Sequence, residues 1–407
     1  MLRAVYRNGK QELLSYNENI DFDLHEYDYS KSCLNEGELT KLIESQSTEI
    51  QTSIKLETGP LMKVGLLRTK KDDYLIICIH HLVIDGVSWR ILLEDIETGY
   101  QQYLSNDKIK FSEKTSSYKM WSDALEEYSS NHKLQQEVAY WRDISNSLFE
   151  NRIYCVNIDE EGMGTVKVKL SASDTHNLIY HSNNAFGTEI SDLLLSSLGI
   201  AIYEMKGQQK ININLEGHGR ETLHKRIDID RTVGWFTSIY PIVVETCGNI
   251  TKTIIRTKEM LRKIPNKGFG YGVLKYLTNE SFSTVEAGIT FNFLGSFDDI
   301  QNVKNSFFRI HKYNVDNSTI GVNIQNDVLV IDCAIIGGEL DINIRYRKSN
   351  FKHDEAIYLG NLYVSALKDI INVCVNQETT IKTSSDFGLS DDKISQEDLE
   401  TLLREYQ

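Results

Sequence analysis

The sequence predicts a mixed α/β (α+β) protein made of two lobes. Helical and strand patterns are mixed along the whole chain, which is typical of this class. The 407 residues suit two to three domains at roughly 150 residues each. A second series of strands and helices begins after Asn151. We therefore expect lobes at residues 1–150 and 151–380, divided near 145–155, and a polar, weakly amphipathic tail at 381–407.

In the first lobe, a β-hairpin is predicted over residues 2–16 because Asn8-Gly9 is a typical two-residue turn. A helix is predicted to begin near Ser88, a plausible N-cap, because apolar residues recur at helical spacing after it. The other predicted elements here are a helix at 36–54, strands at 61–67 and 74–80, and helical pattern at 117–144.

In the second lobe, the spacing of apolar residues predicts the remaining elements. Strands are expected at 164–170, 211–216, 239–245, 288–294, 328–336 and 340–346, and helices at 172–182, 188–206 and 354–375. Gly337-Gly338 is expected to form the turn between the last two strands.

Composition disfavours several classes of function. Lys and Arg number 44 against 58 Asp and Glu, a formal charge of −14, whereas a nucleic-acid-binding protein needs a basic face. No apolar run reaches the roughly 18 residues of a membrane span, and the first residues do not form a signal peptide. A soluble, cytoplasmic protein is expected. The six cysteines are scattered without ligand spacing, which predicts reduced core thiols and no metal site.

The segment from His80 to Trp89 is the strongest candidate for chemistry. An apolar strand is predicted to end at His80 and His81, and Asp85-Gly86 then turns the chain into a helix. Adjacent side chains on a strand point to opposite faces, so only one histidine can face a given cavity. Histidine transfers protons near neutral pH. The alternative interpretation is a structural pair of hydrogen-bonded histidines.

A second candidate is Glu216, at the end of a predicted strand and followed by a glycine-rich turn. Glycines let another backbone approach closely, so this carboxylate could act as an acid or a base. A surface Glu–Arg pair beside a glycine turn is the alternative. Three other segments, 232–238, 268–272 and 291–295, are expected to have structural roles.

Six segments in order resemble the epimerization domain of nonribosomal peptide synthetases. They are HHLVIDGVSW, SDLLLSSLG, NLEGHGRE, RTVGWFTSIYP, IPNKGFGYG and FNFLGSFDD. The pattern His-His-x-x-x-Asp-Gly alone is shared with condensation domains and with chloramphenicol-acetyltransferase-like acyltransferases. The other segments point to the epimerization branch, and the likeness extends over nearly the whole chain.

The resemblance implies two acetyltransferase-like lobes in a V shape with the active site in a tunnel between them. The substrate would be an aminoacyl or peptidyl thioester on the phosphopantetheine arm of a peptidyl carrier domain, inverted at its α-carbon. The chain itself would bind no cofactor and no metal, and its partners would be the carrier and neighbouring synthetase domains.

The resemblance also implies roles for individual residues. His81 and Glu216 would be the catalytic acid–base groups. Supporting or structural roles fall to His80, Asp85, Arg220, Asn292 and Phe293, and tunnel positions to Ser88, Trp89, Trp235, Ser238 and Tyr271. Asp85 is expected to brace its loop through an arginine, and Arg220 to hold Glu216 charged. Backbone N–H groups near Ser88 and the Asn292 amide are candidate donors to an enolate oxygen.

Two features depart from the family pattern. Family members carry a P-I-Q-x-W-F motif, a strand and a helix that would precede Leu2, so a severed or separately encoded C-terminal piece is expected. Phe293 stands where the family usually has Tyr, which removes one hydroxyl. Two alternatives stay open: a condensation-type acyltransferase in which His81 activates an amine, and an inactive module that docks a carrier domain.

Overall fold

The computed structural model describes residues 2–14, 23–150, 162–223, 226–282, 287–298, 307–309, 327–389 and 396–405. These residues form two compact units. The first takes its residues from Met1–Ala124, Thr222–Thr237 and Ile300–Val322, and the second from Leu125–Glu221, Ser238–Asp299 and Asn323–Gln407. The units differ from the predicted lobes because residues 222–237 pack with the first and residues 125–150 with the second. The division into lobes at 150 stays a prediction.

The first unit contains a hairpin and a three-stranded sheet. Its elements are β1 (Ala4–Arg7), β2 (Lys10–Leu13), β3 (Asp23–Asp28), α1 (Glu36–Thr52), β4 (Met62–Arg68), β5 (Asp73–Ile79), a 3₁₀ turn (His81–Val83), α2 (Gly86–Leu104) and the start of α3 (Tyr118–Ser129). The hairpin prediction is confirmed, and Asn8 and Gly9 adopt the positive φ values that its turn needs. In the sheet, β4 pairs in parallel with β3 and antiparallel with β5.

The second unit is built on a six-stranded sheet of order β6-β11-β10-β9-β7-β8. Its strands are β6 (Met163–Leu170), β7 (Lys210–Gly217), β8 (Ser238–Glu245), β9 (Ile289–Ser296), β10 (Leu329–Ile336) and β11 (Glu339–Arg347). Its helices are α4 (His132–Gln136), α5 (Val138–Glu150), α6 (Ala172–Tyr180), α7 (Ile190–Lys206), α8 (Ile250–Lys263), α9 (Phe269–Leu277), α10 (His353–Val375) and α11 (Gln396–Glu405).

The six-stranded sheet has one apolar and one polar face. Across its centre, the buried side chains Leu215, Phe291, Ile331 and Ile344 occupy successive paired positions on β7, β9, β10 and β11. Helix α10 packs closely on this apolar face, since a Cβ on its Gly360 would lie 2.8 Å from a methyl carbon of β6. Because side chains alternate along a strand, the polar residues of the same strands lie on the opposite face.

Most predicted elements are confirmed, with shifts of a few residues at their ends. The helical pattern predicted at 117–144 forms three helices, α3, α4 and α5, with Asn131 capping α4. Strand β3 and helices α8 and α9 were not predicted. Of the described cysteines, Cys333 and Cys374 are buried as expected, but Cys33 is exposed, so the prediction of core thiols is wrong for that residue.

Within the described ranges, no single helix is both long and apolar enough to cross a bilayer. The helical stretches Ala172–Ala185 and Ile190–Lys206 meet that test only when they are taken together, by length and composition, and a bend of 100° separates them.

Candidate functional site

The two neighbouring histidines follow strand β5 and do not belong to it. Residue His80 is the N-cap of the 3₁₀ turn, and its Nδ1 accepts a hydrogen bond from the Leu82 N–H at 3.2 Å. Burial lowers the pKa of His80, and the nearby His81 lowers it further. The sequence predicts that the two rings lie on opposite faces of a strand. This prediction is wrong, because both histidines follow the strand and the turn gives them different environments. His80 holds the turn in place.

Asp85 organises the start of α2. The structure has Asp85 as the N-cap, where the sequence predicts Ser88, and its Oδ1 accepts from the Ser88 N–H at 2.7 Å. Its Oδ2 accepts from the Phe236 N–H at 3.1 Å. The buried carboxylate thus ties the helix to the segment 232–238 through backbone amides. The predicted arginine partner stays a prediction, whereas the Ser88 N–H is engaged by Asp85 and is not available to an enolate.

Ser88 fastens the same segment from the helix side. Its fully buried hydroxyl donates to the Gly234 carbonyl at 3.0 Å and accepts from the Gly234 N–H at 3.1 Å. A Cβ on Gly234 would lie 2.5 Å from the Tyr118 ring, and the Tyr118 hydroxyl donates to the Trp235 carbonyl at 2.7 Å. The predicted tunnel position of Ser88 is therefore wrong: the side chain is a buried clamp.

This clamp places Trp235 beside His81. The two rings lie with centroids 5.1 Å apart, inclined by 53°. The buried His81 Nδ1 and Trp235 Nε1 have no hydrogen-bond partner among the described residues. The first unit therefore holds an imidazole that is positioned by packing against Trp235.

The second candidate, Glu216, lies near the end of β7 on the polar face of the six-stranded sheet. It is partly buried, so it is not the surface turn residue of the alternative interpretation. Burial raises the pKa of Glu216 to about 7; Asp332 and Asp327 raise it, and Arg345 lowers it. A carboxyl that titrates near neutral pH can both accept and donate a proton there.

The charged neighbours of Glu216 come from β10 and β11. The Arg345 Nη2 donates to the Asp332 Oδ2 at 2.9 Å. The sequence predicts Arg220 as the cation that keeps Glu216 charged, and the structure adds Arg345, which lowers the pKa of Glu216. A role for Arg220 stays a prediction. Asp332 and Arg345 were missed because their strands carry no motif, and only the sheet brings them to Glu216.

The remaining predicted residues occupy varied environments. Asn292 and Phe293 are partly buried neighbours on β9, where Asn292 pairs with Asp332 of β10. Tyr271 is buried against Trp141, with ring centroids 5.1 Å apart. Partly buried positions are also found for Trp89 on α2 and Ser238 at the start of β8. Tunnel positions for these residues stay predictions.

The glycine-rich segment 268–272 has the structural role that the sequence predicts. Gly268 has a φ of +80°, and a Cβ there would lie 2.1 Å from the Tyr240 ring. A Cβ on Gly270 would lie 2.1 Å from the Glu137 carboxylate. Both glycines are needed because β8 and the α4–α5 junction approach the backbone closely.

Comparison with known proteins gives consistent matches over nearly the whole chain. Residues 1–391 match the family model of the condensation domain. The chain is 36% identical over 417 residues to bacitracin synthase 2 of Bacillus licheniformis, with 100% of this chain aligned to 16% of that protein. It is 36% identical over 420 residues to gramicidin S synthase 1 of Brevibacillus brevis, with 98% of this chain aligned to 38% of that protein. The chain therefore spans well under half the length of these relatives.

Solved structures share the fold. The epimerization domain from the third module of tyrocidine synthetase B superposes with a TM-score of 0.78 at 33% identity, over 93% of this chain and 86% of that chain. The first condensation domain of the calcium-dependent antibiotic synthetase superposes with a TM-score of 0.64 at 14% identity, over 93% and 84%. The second likeness concerns the fold alone. Both confirm the mixed α/β class.

Proposed function

We propose that this chain, which belongs to the condensation-domain family, is an epimerization domain. The family comprises domains of nonribosomal peptide synthetases with a chloramphenicol-acetyltransferase-like fold. The proposed reaction inverts the α-carbon of an aminoacyl or peptidyl thioester on the phosphopantetheine arm of a carrier domain. Likeness to the tyrocidine synthetase epimerization domain, at 33% identity over 86% of its length, supports this branch of the family.

The observation that carries the proposal is the partly buried carboxyl of Glu216, in addition to the imidazole of His81. Inversion removes the α-proton from one face of the carbon and returns a proton to the other face. Two acid–base groups suit these two steps, because one accepts a proton while the other donates one. Glu216, whose pKa is about 7, supplies the second group.

The α-proton of a thioester is far less acidic than either group, so the enolate between the two steps must be stabilised. Hydrogen-bond donors aimed at the enolate oxygen would lower the barrier most. In this proposal the Asn292 amide, on the same sheet face as Glu216, is a candidate donor. Phe293 leaves no hydroxyl beside it.

Amide formation is the second candidate, because the matching family model is that of the condensation domain. In that reaction His81 would activate an amine for attack on a thioester. A condensation reaction does not require a second acid–base group, whereas epimerization does. The need for Glu216 therefore distinguishes the two candidate functions.

The experiment loads a carrier domain separately with an L- or a D-amino acid and follows solvent deuterium at the α-carbon. For an epimerase we expect deuterium uptake from both isomers and convergence to one mixture. Glu216→Gln should slow inversion by about 10²–10⁴, the usual value of a positioned proton-transfer group. Uptake should survive from one isomer, because His81 still reaches its own face.

A matched control is Glu339→Gln, which makes the same chemical change on β11 at a carboxylate that pairs with Lys169 at 3.1 Å. This variant should epimerize like the unchanged protein. New amide bonds between two loaded carriers, without α-deuterium, would instead establish condensation. Carrier binding with neither reaction would identify an inactive docking module. Wild-type inversion by Glu216→Gln would show that Glu216 takes no part.

A further inference from the structure

A buried ion pair lies on the polar face of the six-stranded sheet, outside every segment that the motifs cover. It joins Asp332 of β10 to Arg345 of β11, with Nη2 and Oδ2 2.9 Å apart. The Arg345 side chain is 4% exposed and the Asp332 side chain 20%. Burying such a pair costs desolvation energy, and removing one partner would leave an uncompensated buried charge.

Strand register places this pair beside Glu216. Asp332 pairs with Asn292 on the parallel strand β9. Leu215 and Phe291 also pair, so the residues that follow them, Glu216 and Asn292, are the next positions on adjacent parallel strands. Side-chain alternation then puts Glu216, Asn292 and Asp332 on one face of three successive strands.

Arg345 has more hydrogen-bond donors than its contact with Asp332 uses. Its Nε and Nη1 are buried and have no hydrogen-bond partner among the described residues. A guanidinium carries five N–H donors in a fixed fork. Arg345 is thus held by one carboxylate, and within the described ranges its Nε and Nη1 have no acceptor.

The charged neighbours that act on Glu216 have partners of their own. The Asp327 carboxylate accepts from the Thr290 hydroxyl at 3.0 Å, and Asp332 is paired with Arg345. Both carboxylates raise the pKa of Glu216, and Arg345 lowers it.

We propose that Asp332 and Arg345 are positioning residues for Glu216: the pair sets how strongly Glu216 holds the proton that it exchanges. The inference rests on the proposed role of Glu216 in proton transfer. The two charges act on Glu216 in opposite directions, because Asp332 favours its protonated form and Arg345 favours its ionised form. On its own segment, the exposed His218 pairs with Glu221 at 3.2 Å, and Arg220 is partly buried.

The test measures the protonation of Glu216 directly in the full chain. Protein labelled with [¹³C]glutamate gives a carboxylic C=O infrared band, and the Glu216 component is identified by its loss in Glu216→Gln. Asp332→Asn should lower the titration midpoint by about one pH unit, a tenfold change in proton affinity and the lower end for a neighbouring charge. Arg345→Gln should raise the midpoint by a similar amount.

The double variant Asp332→Asn/Arg345→Gln should return towards the original midpoint, since it removes both opposing charges. The matched control Glu339→Gln should leave the midpoint unchanged. If Arg345→Gln does not fold, Asp332→Asn decides alone. An unchanged midpoint in folded Asp332→Asn would overturn the inference.

The same variants separate this inference from the proposed function. In an active epimerase, the pH profile of α-proton exchange should move in the same direction as the infrared midpoint for each variant. If the midpoints move but the unchanged protein exchanges no α-proton, the proposed function fails and the charge coupling stands. If exchange occurs and neither midpoint nor profile moves, the coupling fails and the function stands.

Discussion

Replacing Glu216 by Gln should make the protein more stable at alkaline pH while impairing its proposed reaction. Burial raises the pKa of this carboxyl from 4.5 to about 7. Below the unfolded pKa both states are protonated and the effect vanishes. As the pH rises towards 7, the unfolded chain releases the proton first, so the folded state loses stability. Gln has the same shape and carries no charge, which removes this loss.

The magnitude follows from the difference of about 2.5 units between the pKa of Glu216 in the folded and the unfolded chain. At about 1.4 kcal/mol per unit, this gives about 3 kcal/mol once the carboxyl is ionised in both states. Near pH 5 the unfolded carboxyl is only partly ionised, and the advantage of the variant should be about 1 kcal/mol or less. Near pH 9 it should reach about 3 kcal/mol. The gain in the free energy of unfolding should therefore grow with pH.

The assay is denaturant unfolding of both proteins across this pH range, followed by tryptophan fluorescence and far-ultraviolet circular dichroism. Trp141 is fully buried in the same unit as Glu216, so its fluorescence reports on the unfolding of that unit. The control Glu339→Gln, at a partly exposed pair, should change stability by less than about 1 kcal/mol at every pH. If the stability gain of Glu216→Gln over the unchanged protein is no larger near pH 9 than near pH 5, the argument is refuted.

Three further outcomes are expected. His81→Ala should slow α-proton exchange by about 10²–10⁴, whereas folded His80→Ala should keep exchange and lose stability; the reverse result would exchange their roles. Asp386→Ala should lower the free energy of unfolding by about 3–5 kcal/mol, because it leaves the buried ammonium of Lys258 without its 2.7 Å partner; Lys258→Met/Asp386→Ala should recover part of this loss in thermal melting. Gly268→Ala should cost about 2 kcal/mol or more, since φ is +80° and a Cβ would strike an aromatic ring; unchanged thermal melting would contradict this.

Helices and strands were predictable where a periodic apolar pattern coincided with residues typical of a helix end or a turn. Helix α1 begins at a capping box formed by Asn35 and Glu38, and β10 and β11 turn at Gly337-Gly338. Strand β3 escaped prediction because polar residues occupy most of its positions. Helix α9 escaped because its glycines indicate a loop, while its packing against β8 and the α4–α5 junction requires them.

The candidate site was also predictable only in part from the sequence. The motif around His81 and Asp85 is contiguous, so a local pattern reveals it, and the resemblance of six segments to one family is a property of the chain alone. The roles within the motif were harder to assign. Ser88 was expected to line a tunnel, but its hydroxyl binds Gly234, which lies 146 positions further along the chain.

The sequence by itself determined the fold class, the family and the candidate residues His81 and Glu216, because these depend on local pattern and ordered motifs. Only the tertiary structure decided which charges act on Glu216. Asp332 and Arg345 lie more than a hundred positions away, and their strands look like ordinary core strands. Electrostatic interaction depends on distance in space and on burial, and neither is encoded in spacing along the chain.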